Sequence, residues 1–262
     1  MAADRVWVFK VQSEEGQDEY DTQLRRHGYH PIFIPVLAHK TESHSQLRDI
    51  VIHGPRYHHI AGLIITSQRS VETLTEVLHN LSLDSATASE WHTLPVYVVG
   101  HKTAEKLQQL PLFQGLHSNW IIADRAAELH PAIIAQVKST IGDRQLLFLA
   151  GDKRRDELPN HLAKANIAVK EIRCYSTCAH PELAQKLGEI KVMPDDWTVY
   201  FSPSGIRYIQ ETTHPFTAKI AAIGPTTADY LGKLGMNINV VSRKPDAAHL
   251  VADMVTYDRS LS

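Results

Sequence analysis

The sequence predicts an α/β protein of two flavodoxin-like, doubly wound parallel-sheet domains, one inserted in the other. Three observations carry this. The chain has 262 residues, above the roughly 100–200 typical of one domain. Short apolar runs alternate with longer segments of helical period, the pattern of parallel strands joined by crossover helices. The strand-to-helix turns also come in matched pairs, so one unit is used twice.

The predicted strands are, in order, Val6–Phe9, Ile32–Val36, Gly62–Thr66, Val96–Val99, Trp120–Ala123, Leu146–Ala150, Val169–Tyr175, Thr198–Phe201, Ala218–Ile223 and Ile238–Val241. They divide into two sheets of five. Between them, Val71, Leu74, Val77, Leu78 and Leu81, or Leu183, Leu187 and Ile190, recur at helical spacing, so each helix buries one stripe against a sheet. Helices start at Thr66-Ser67-Gln68-Arg69, Gly100-His101-Lys102-Thr103, Ser202-Pro203-Ser204-Gly205 and Gly224-Pro225-Thr226-Thr227. These carry hydroxyl caps and, at Pro225, a proline suited to a first helical position.

The pairing of turns is specific. Val98 to Leu107 parallels Ala222 to Leu231, Gly62 to Ser67 parallels Val199 to Ser202, and Arg5–Val36 resembles Gln145–Tyr175. The last pair stands at the start of one copy and the end of the other, which an insertion reconciles. The expected boundaries are a first domain of 1–36 with 175–262, an inserted domain of 43–166, and hinge linkers at 37–42 and 167–174. Each domain is expected to have strand order 2-1-3-4-5, with its ligand crevice outside the carboxyl ends of the strands. The functional site is expected in the cleft between the domains.

Composition narrows the function. A formal charge of −2 and a pI near 6.8 provide no broad positive field for nucleic acid or anionic membranes. No run approaches the ~20 apolar residues of a membrane span, and the amino terminus has no targeting pattern. Cys174 and Cys178 read as reduced thiols of a cytoplasmic protein. Their Cys-x-x-x-Cys spacing lacks the partners of a zinc site. Among the sixteen histidines, His27, His30, His53, His58 and His59 show no ligand spacing with a carboxylate partner, so no metal site is expected. Neither a P-loop nor a Gly-x-Gly-x-x-Gly follows any strand, which leaves nucleotide cofactors unsupported. Ser67 and Ser204 sit in no Gly-x-Ser-x-Gly elbow and have no evident base, so nucleophilic catalysis is unsupported.

What remains is anion recognition by helix starts. Unpaired N–H groups and a partial positive charge at each helix amino terminus favour carboxylates or phosphates. Arg69, Lys102, Arg207 and Lys219 lie within or beside the turns, and the loop Gly151-Asp152-Lys153-Arg154-Arg155 adds three consecutive cations. Against this, a Ser or Thr at a helix start is most often only a cap.

These turns, with Ile64-Ile65-Thr66-Ser67, Leu147-Phe148-Leu149-Ala150-Gly151, Leu158-Pro159, Tyr175-Ser176-Thr177, Phe201-Ser202-Pro203-Ser204-Gly205 and Ala221-Ala222-Ile223-Gly224-Pro225-Thr226-Thr227-Ala228, make the chain resemble the uroporphyrinogen-III synthase family over essentially its whole length. The resemblance implies two domains joined by a two-stranded linker and a cofactor-free lyase of tetrapyrrole, or haem, biosynthesis. Its substrate would be hydroxymethylbilane, closed to uroporphyrinogen III with loss of water and inversion of ring D. It further implies Tyr175 as the catalytic residue that hydrogen-bonds or protonates the leaving hydroxyl. Ser67, Arg69, Thr103, Ser202, Lys219, Thr226 and Thr227 would bind substrate. No metal or cofactor is implied. The partners expected are the small-molecule substrate and, transiently, hydroxymethylbilane synthase, with no nucleic acid or membrane, for a cytoplasmic monomer. Tyr175 also has a structural reading, as a hinge aromatic. Two departures from the family pattern, Gln68 after the first turn's serine and Cys174 before the tyrosine, do not touch this chemistry. The competing reading is a two-lobed cytoplasmic module that binds an anionic ligand without turnover.

Overall fold

The computed structural model describes residues 5–13, 18–115, 119–137, 140–153, 156–213 and 215–261. The chain forms two compact units, Met1–Ala38 with Cys178–Ser262, and His39–Thr177. It begins with β1 (Arg5–Phe9), α1 (Glu19–Arg26), β2 (His30–Phe33) and β3 (Leu37–Thr41). Then follow α2 (His44–Tyr57), β4 (Ile60–Ile65), α3 (Gln68–Leu78), α4 (Ser85–Thr93), β5 (Val96–Val99), α5 (His101–Gln108), β6 (Trp120–Ala123), α6 (Ala126–Val137), β7 (Gln145–Gly151) and α7 (Glu157–Lys164). The chain closes with β8 (Val169–Ala179), α8 (Leu183–Glu189), β9 (Trp197–Tyr200), α9 (Pro203–Thr212), β10 (Lys219–Ala222), α10 (Pro225–Lys233), β11 (Val240–Val241) and α11 (Ala247–Ser260).

In the unit that holds both chain ends, five parallel strands lie in the order β11-β10-β9-β1-β2. Numbered along the chain within that unit, this is the expected 2-1-3-4-5. Both faces are apolar because crossover helices cover both. Val6 and Val8 of β1 join Leu24, Trp197 and Met254 on one face, and Trp7 and Phe9 join Tyr200, Ile206 and Leu231 on the other.

The unit His39–Thr177 has a six-stranded sheet, β3-β8-β7-β4-β5-β6, with β4 to β8 parallel. Three expectations are corrected here. Leu37–Thr41 is a strand, so this sheet has six members rather than five. The spatial order of β4 to β8 matches the first unit, but the chain runs through it in permuted order, with β7 and β8 taking the places of the first unit's β1 and β2. The strand expected at Ile32–Val36 also lies earlier, at His30–Phe33. Alternation again splits the core: Leu147 and Leu149 of β7 pack with Leu47, Val71 and Ile172, while Leu146 and Phe148 pack with Ile64, Leu129 and Leu162.

Two carboxylates, Asp196 buried and Asp258 half-buried, anchor the amino-terminal edge of the first unit's sheet. Asp258 on α11 accepts hydrogen bonds from Tyr29 Oη (2.6 Å), Trp197 Nε1 (2.9 Å) and Lys219 Nζ (2.8 Å). Asp196 accepts from Arg5, Trp7 Nε1 and the Met193 amide. Burial alone would raise both pKa values, but these donors outweigh it and hold both carboxyls below the ordinary range. The native state therefore binds fewer protons than the unfolded chain near pH 3.9, the usual aspartate value. The stabilisation is present above that pH and is lost as pH falls through the depressed native values. Asp258→Asn is expected to lower stability by about 1–3 kcal/mol at neutral pH and to make the acid limb of a stability–pH curve shallower. Denaturant melts from pH 7 to 3 measure both; an unchanged acid limb would contradict the assignment.

Candidate functional site

In a doubly wound sheet the loops at the carboxyl ends of the strands converge, and this edge of the unit His39–Thr177 holds a cavity of about 530 Å³. Thr66 and Ser67 after β4, Val99 at the end of β5, Arg125 to Ala127 between β6 and α6, Phe148, Gly151 and Lys153 on and after β7, and Tyr175 of β8 line it. A second recess of about 450 Å³ shares Thr66 and Ser67 and adds Gln68, Arg69, Glu72 and Thr103.

Tyr175 lies at the centre of this arrangement. Its register partner in the sheet is Gly151, just past an irregularity in the β7–β8 pairing. A Cβ built on Gly151 would stand 2.6 Å from Tyr175 Cε2 and Oη, so the ring rests directly on the glycine backbone. The Asp152 amide donates to the Tyr175 carbonyl (3.0 Å), and Asp152 Oδ2 accepts from the Thr177 amide (3.1 Å). These bonds pin the two strands on either side of the tyrosine.

The phenol donates to Ser67 Oγ at 3.0 Å, and the same oxygen caps α3 by accepting the Arg69 amide at 3.1 Å. With both lone pairs of Ser67 occupied, its own O–H is left to donate into the cavity. The first turns of α3 are held against the sheet by two side chains: Ser70 Oγ donates to the Leu149 carbonyl (2.9 Å), and Thr73 Oγ1 to the Cys174 carbonyl (3.1 Å). The cap and the tyrosine are thereby kept within reach of each other.

His39 stacks edge-on against the Tyr175 ring, with centroids 5.7 Å apart. Burial, foremost, and then the Arg69 guanidinium push its pKa below the usual value, against the pull of Asp152 and Glu72. It is therefore a neutral imidazole at pH 7. Arg125 and Lys153 bring positive charge to the cavity, with Glu157 as the acid among the lining residues. Such a wall, cationic and rich in hydroxyls, suits carboxylates.

The structure brings Tyr175, Ser67, Arg69 and Thr103 to one edge. Thr103 is buried in the first turn of α5 behind Gly100, which has φ +87°, a conformation that favours glycine. In the other unit, Ser202 caps α9 by accepting the Gly205 amide (3.1 Å). Thr226, exposed, and Thr227, buried, start α10 at the same carboxyl edge. Lys219 is not brought there. It opens β10, at the opposite end of the strand, and its ammonium is paired with Asp258 at 2.8 Å beside the Trp197 ring. Its expected place among the binding cations is corrected on that ground. Arg154 and Arg155 lie outside the described residues. The histidine expectation also changes: Asp49, His53 and His58 do cluster, with ligating atoms within 4.8 Å of one another. Sequence reasoning missed His39, Arg125, Ser70 and Thr73.

Comparison with known proteins bears on this geometry. Residues 18–252 match the family model described as uroporphyrinogen-III synthase HemD. The uroporphyrinogen-III synthase of Schizosaccharomyces pombe is 34% identical over 245 residues, 94% of each chain, and that of Saccharomyces cerevisiae 31% identical over 261 residues, 92% of each. Among solved structures, uroporphyrinogen-III synthetase from Helicobacter pylori aligns over 99% of this chain and 100% of its own, with a TM-score of 0.55 at 17% identity. At that identity the likeness shows the fold. Among the described residues no helix is long and apolar enough to cross a membrane.

Proposed function

The chain belongs to the uroporphyrinogen-III synthase family, and we propose that Tyr175, set against Ser67 at the cavity wall, delivers the proton that releases water from hydroxymethylbilane. The enzyme is a cyclising lyase of tetrapyrrole biosynthesis that works without a cofactor. The observation that carries the proposal is the 3.0 Å bond from the phenol to a serine that already accepts a helix amide.

In the substrate a pyrrole nitrogen lone pair expels the terminal hydroxyl. The C–O bond breaks, the oxygen takes a proton from Tyr175 and leaves as water, and the azafulvene that remains is attacked by ring D. The Tyr175 phenolate left behind is held by the Ser67 hydroxyl, which turns to donate to it, and it is reprotonated by the proton that the cyclised product loses on rearomatisation. Because the leaving step is intrinsically easy, the larger task is holding the bilane so that the inverted, spiro-pyrrolenine closure is the reachable one. Arg69, Arg125, Lys153 and the amino termini of α3 and α5 are assigned to the substrate carboxylates. Ser202, Thr226 and Thr227 offer the same chemistry in the other unit and are assigned likewise.

The reading carries with it a cytoplasmic monomer that takes its labile substrate from hydroxymethylbilane synthase in a transient encounter. The direct test is isomer analysis of the porphyrin formed when purified protein meets fresh hydroxymethylbilane. Predominantly isomer III is expected; isomer I alone, the product of unassisted closure, would replace the synthase reading with a binding module.

A further inference from the structure

We infer that Asp49, His53 and His58 form a binding site for a divalent transition-metal ion, zinc foremost, on the helix α2. Asp49 and His53 are four residues apart and so share a helical face. His58, nine residues after Asp49, would fall on the opposite face of an unbroken helix, since nine steps of 100° amount to half a turn beyond two full ones. α2 is broken. Gly54 has φ +82° and ψ 165°, outside the helical region, and Pro55 follows it. The break turns the last residues of the segment so that the His58 ring meets Asp49.

The distances fit a metal. His53 Nδ1 lies 3.1 Å from Asp49 Oδ1, and His58 Nε2 lies 3.4 Å from Asp49 Oδ2. Ligand atoms at about 2.0–2.2 Å from a tetrahedral zinc ion stand about 3.4 Å apart. The remaining His53–His58 separation, within 4.8 Å, closes with a small ring rotation. His58 is 11% exposed, and its buried Nε2 makes no well-formed hydrogen bond, only the 3.4 Å approach to Asp49 Oδ2. A buried polar atom left in this way is costly, and coordination would satisfy it. His53 makes both of its contacts through Nδ1, so the ion would take the place of the Nδ1 proton. The Tyr57 ring lies 5.0 Å from each imidazole, centroid to centroid. The nearby Lys170 ammonium opposes a dication and moderates affinity. Two imidazoles and a carboxylate favour zinc, cobalt, nickel or copper over magnesium or calcium.

The site is remote from Tyr175 in the fold, before β4 rather than after it, so its role is to clamp the two halves of the broken helix. The test is calorimetric titration of chelator-treated full-length protein with zinc chloride, and with cobalt chloride for its visible spectrum. One ion per chain is expected, with a rise in melting temperature. The Asp49→Asn, His58→Gln double variant should bind at least about tenfold more weakly and lose the rise, while isomer-III formation is unchanged. His53→Gln, at an exposed position, serves as the second variant should the double variant fail to fold. Binding of equal strength in wild type and variants, which would place the ion on other histidines, or no binding at all, overturns the inference.

Discussion

Replacing Tyr175 by phenylalanine is expected to slow uroporphyrinogen III formation about 10- to 100-fold, or about 1.4–2.8 kcal/mol of barrier, without changing which isomer the enzyme makes. General acid help is typically worth about 10²–10⁴ in rate, and an intrinsically easy departure of hydroxide places this case at the low end. The ring remains on Gly151 and against His39, so substrate positioning, and with it inversion, is retained. Isomer ratio and rate, measured on the same samples, therefore separate the two roles. Full activity would remove Tyr175 as proton donor and leave it a packing residue. A drop in rate with isomer I rising beyond the share that unassisted closure of the remaining substrate supplies in an enzyme-free control would assign it to folding the bilane instead. Ser67→Ala is expected to reduce rate as well, and also to lower stability by about 0.5–2 kcal/mol through the lost cap. Because Ser67 and Tyr175 share one hydrogen bond, the double variant should be little slower than Tyr175→Phe alone.

Much of this arrangement was legible in the residues, for physical reasons that also explain what was not. Strands buried on both faces read as continuous apolar runs, so β4 and β7 stand out in Ile60–Ile65 and Gln145–Gly151, and their carboxyl ends lead directly to Ser67 and Gly151. Leu37–Thr41 hides because none of its residues is fully buried. An edge strand paired to one neighbour has no alternation to show. Lys219 looked like a binding cation because proximity in sequence to a turn does not reveal which end of a strand a residue occupies. The register with Trp197 decides that. The ligand pattern around His58 was invisible because helical periodicity assumes an unbroken helix, and Gly54 breaks it. Ser70 and Thr73 were concealed for another reason: hydroxyl residues in a helix usually bond within their own helix or face solvent, and only tertiary packing makes them clasp β7 and β8. His39 has no neighbours in sequence that mark it.

Gly151→Ala is expected to cost at least as much activity as losing the phenol, although it removes no chemical group. No real Cβ approaches another atom as closely as 2.6 Å, and here the obstructing atoms belong to an aromatic ring rather than to the end of a flexible side chain. The ring must move, and its oxygen leaves Ser67 as it does. Overpacking of this kind typically costs about 1–3 kcal/mol of stability, and a displacement of about 1 Å at a reacting group can cost about 10²-fold in rate. Displacing the ring also narrows the cavity between Gly151 and Ser67, so both rate and substrate affinity should fall, unlike Tyr175→Phe, which should affect rate alone. The informative comparison is Gly151→Ala in a Tyr175→Ala background, where the added methyl enters vacated space. There the substitution is expected to be nearly neutral for rate and stability. Equal penalties in both backgrounds would mean that Gly151 is required for some reason other than the tyrosine resting on it, and the geometric account of the site would have to be rebuilt around the β7–β8 irregularity itself.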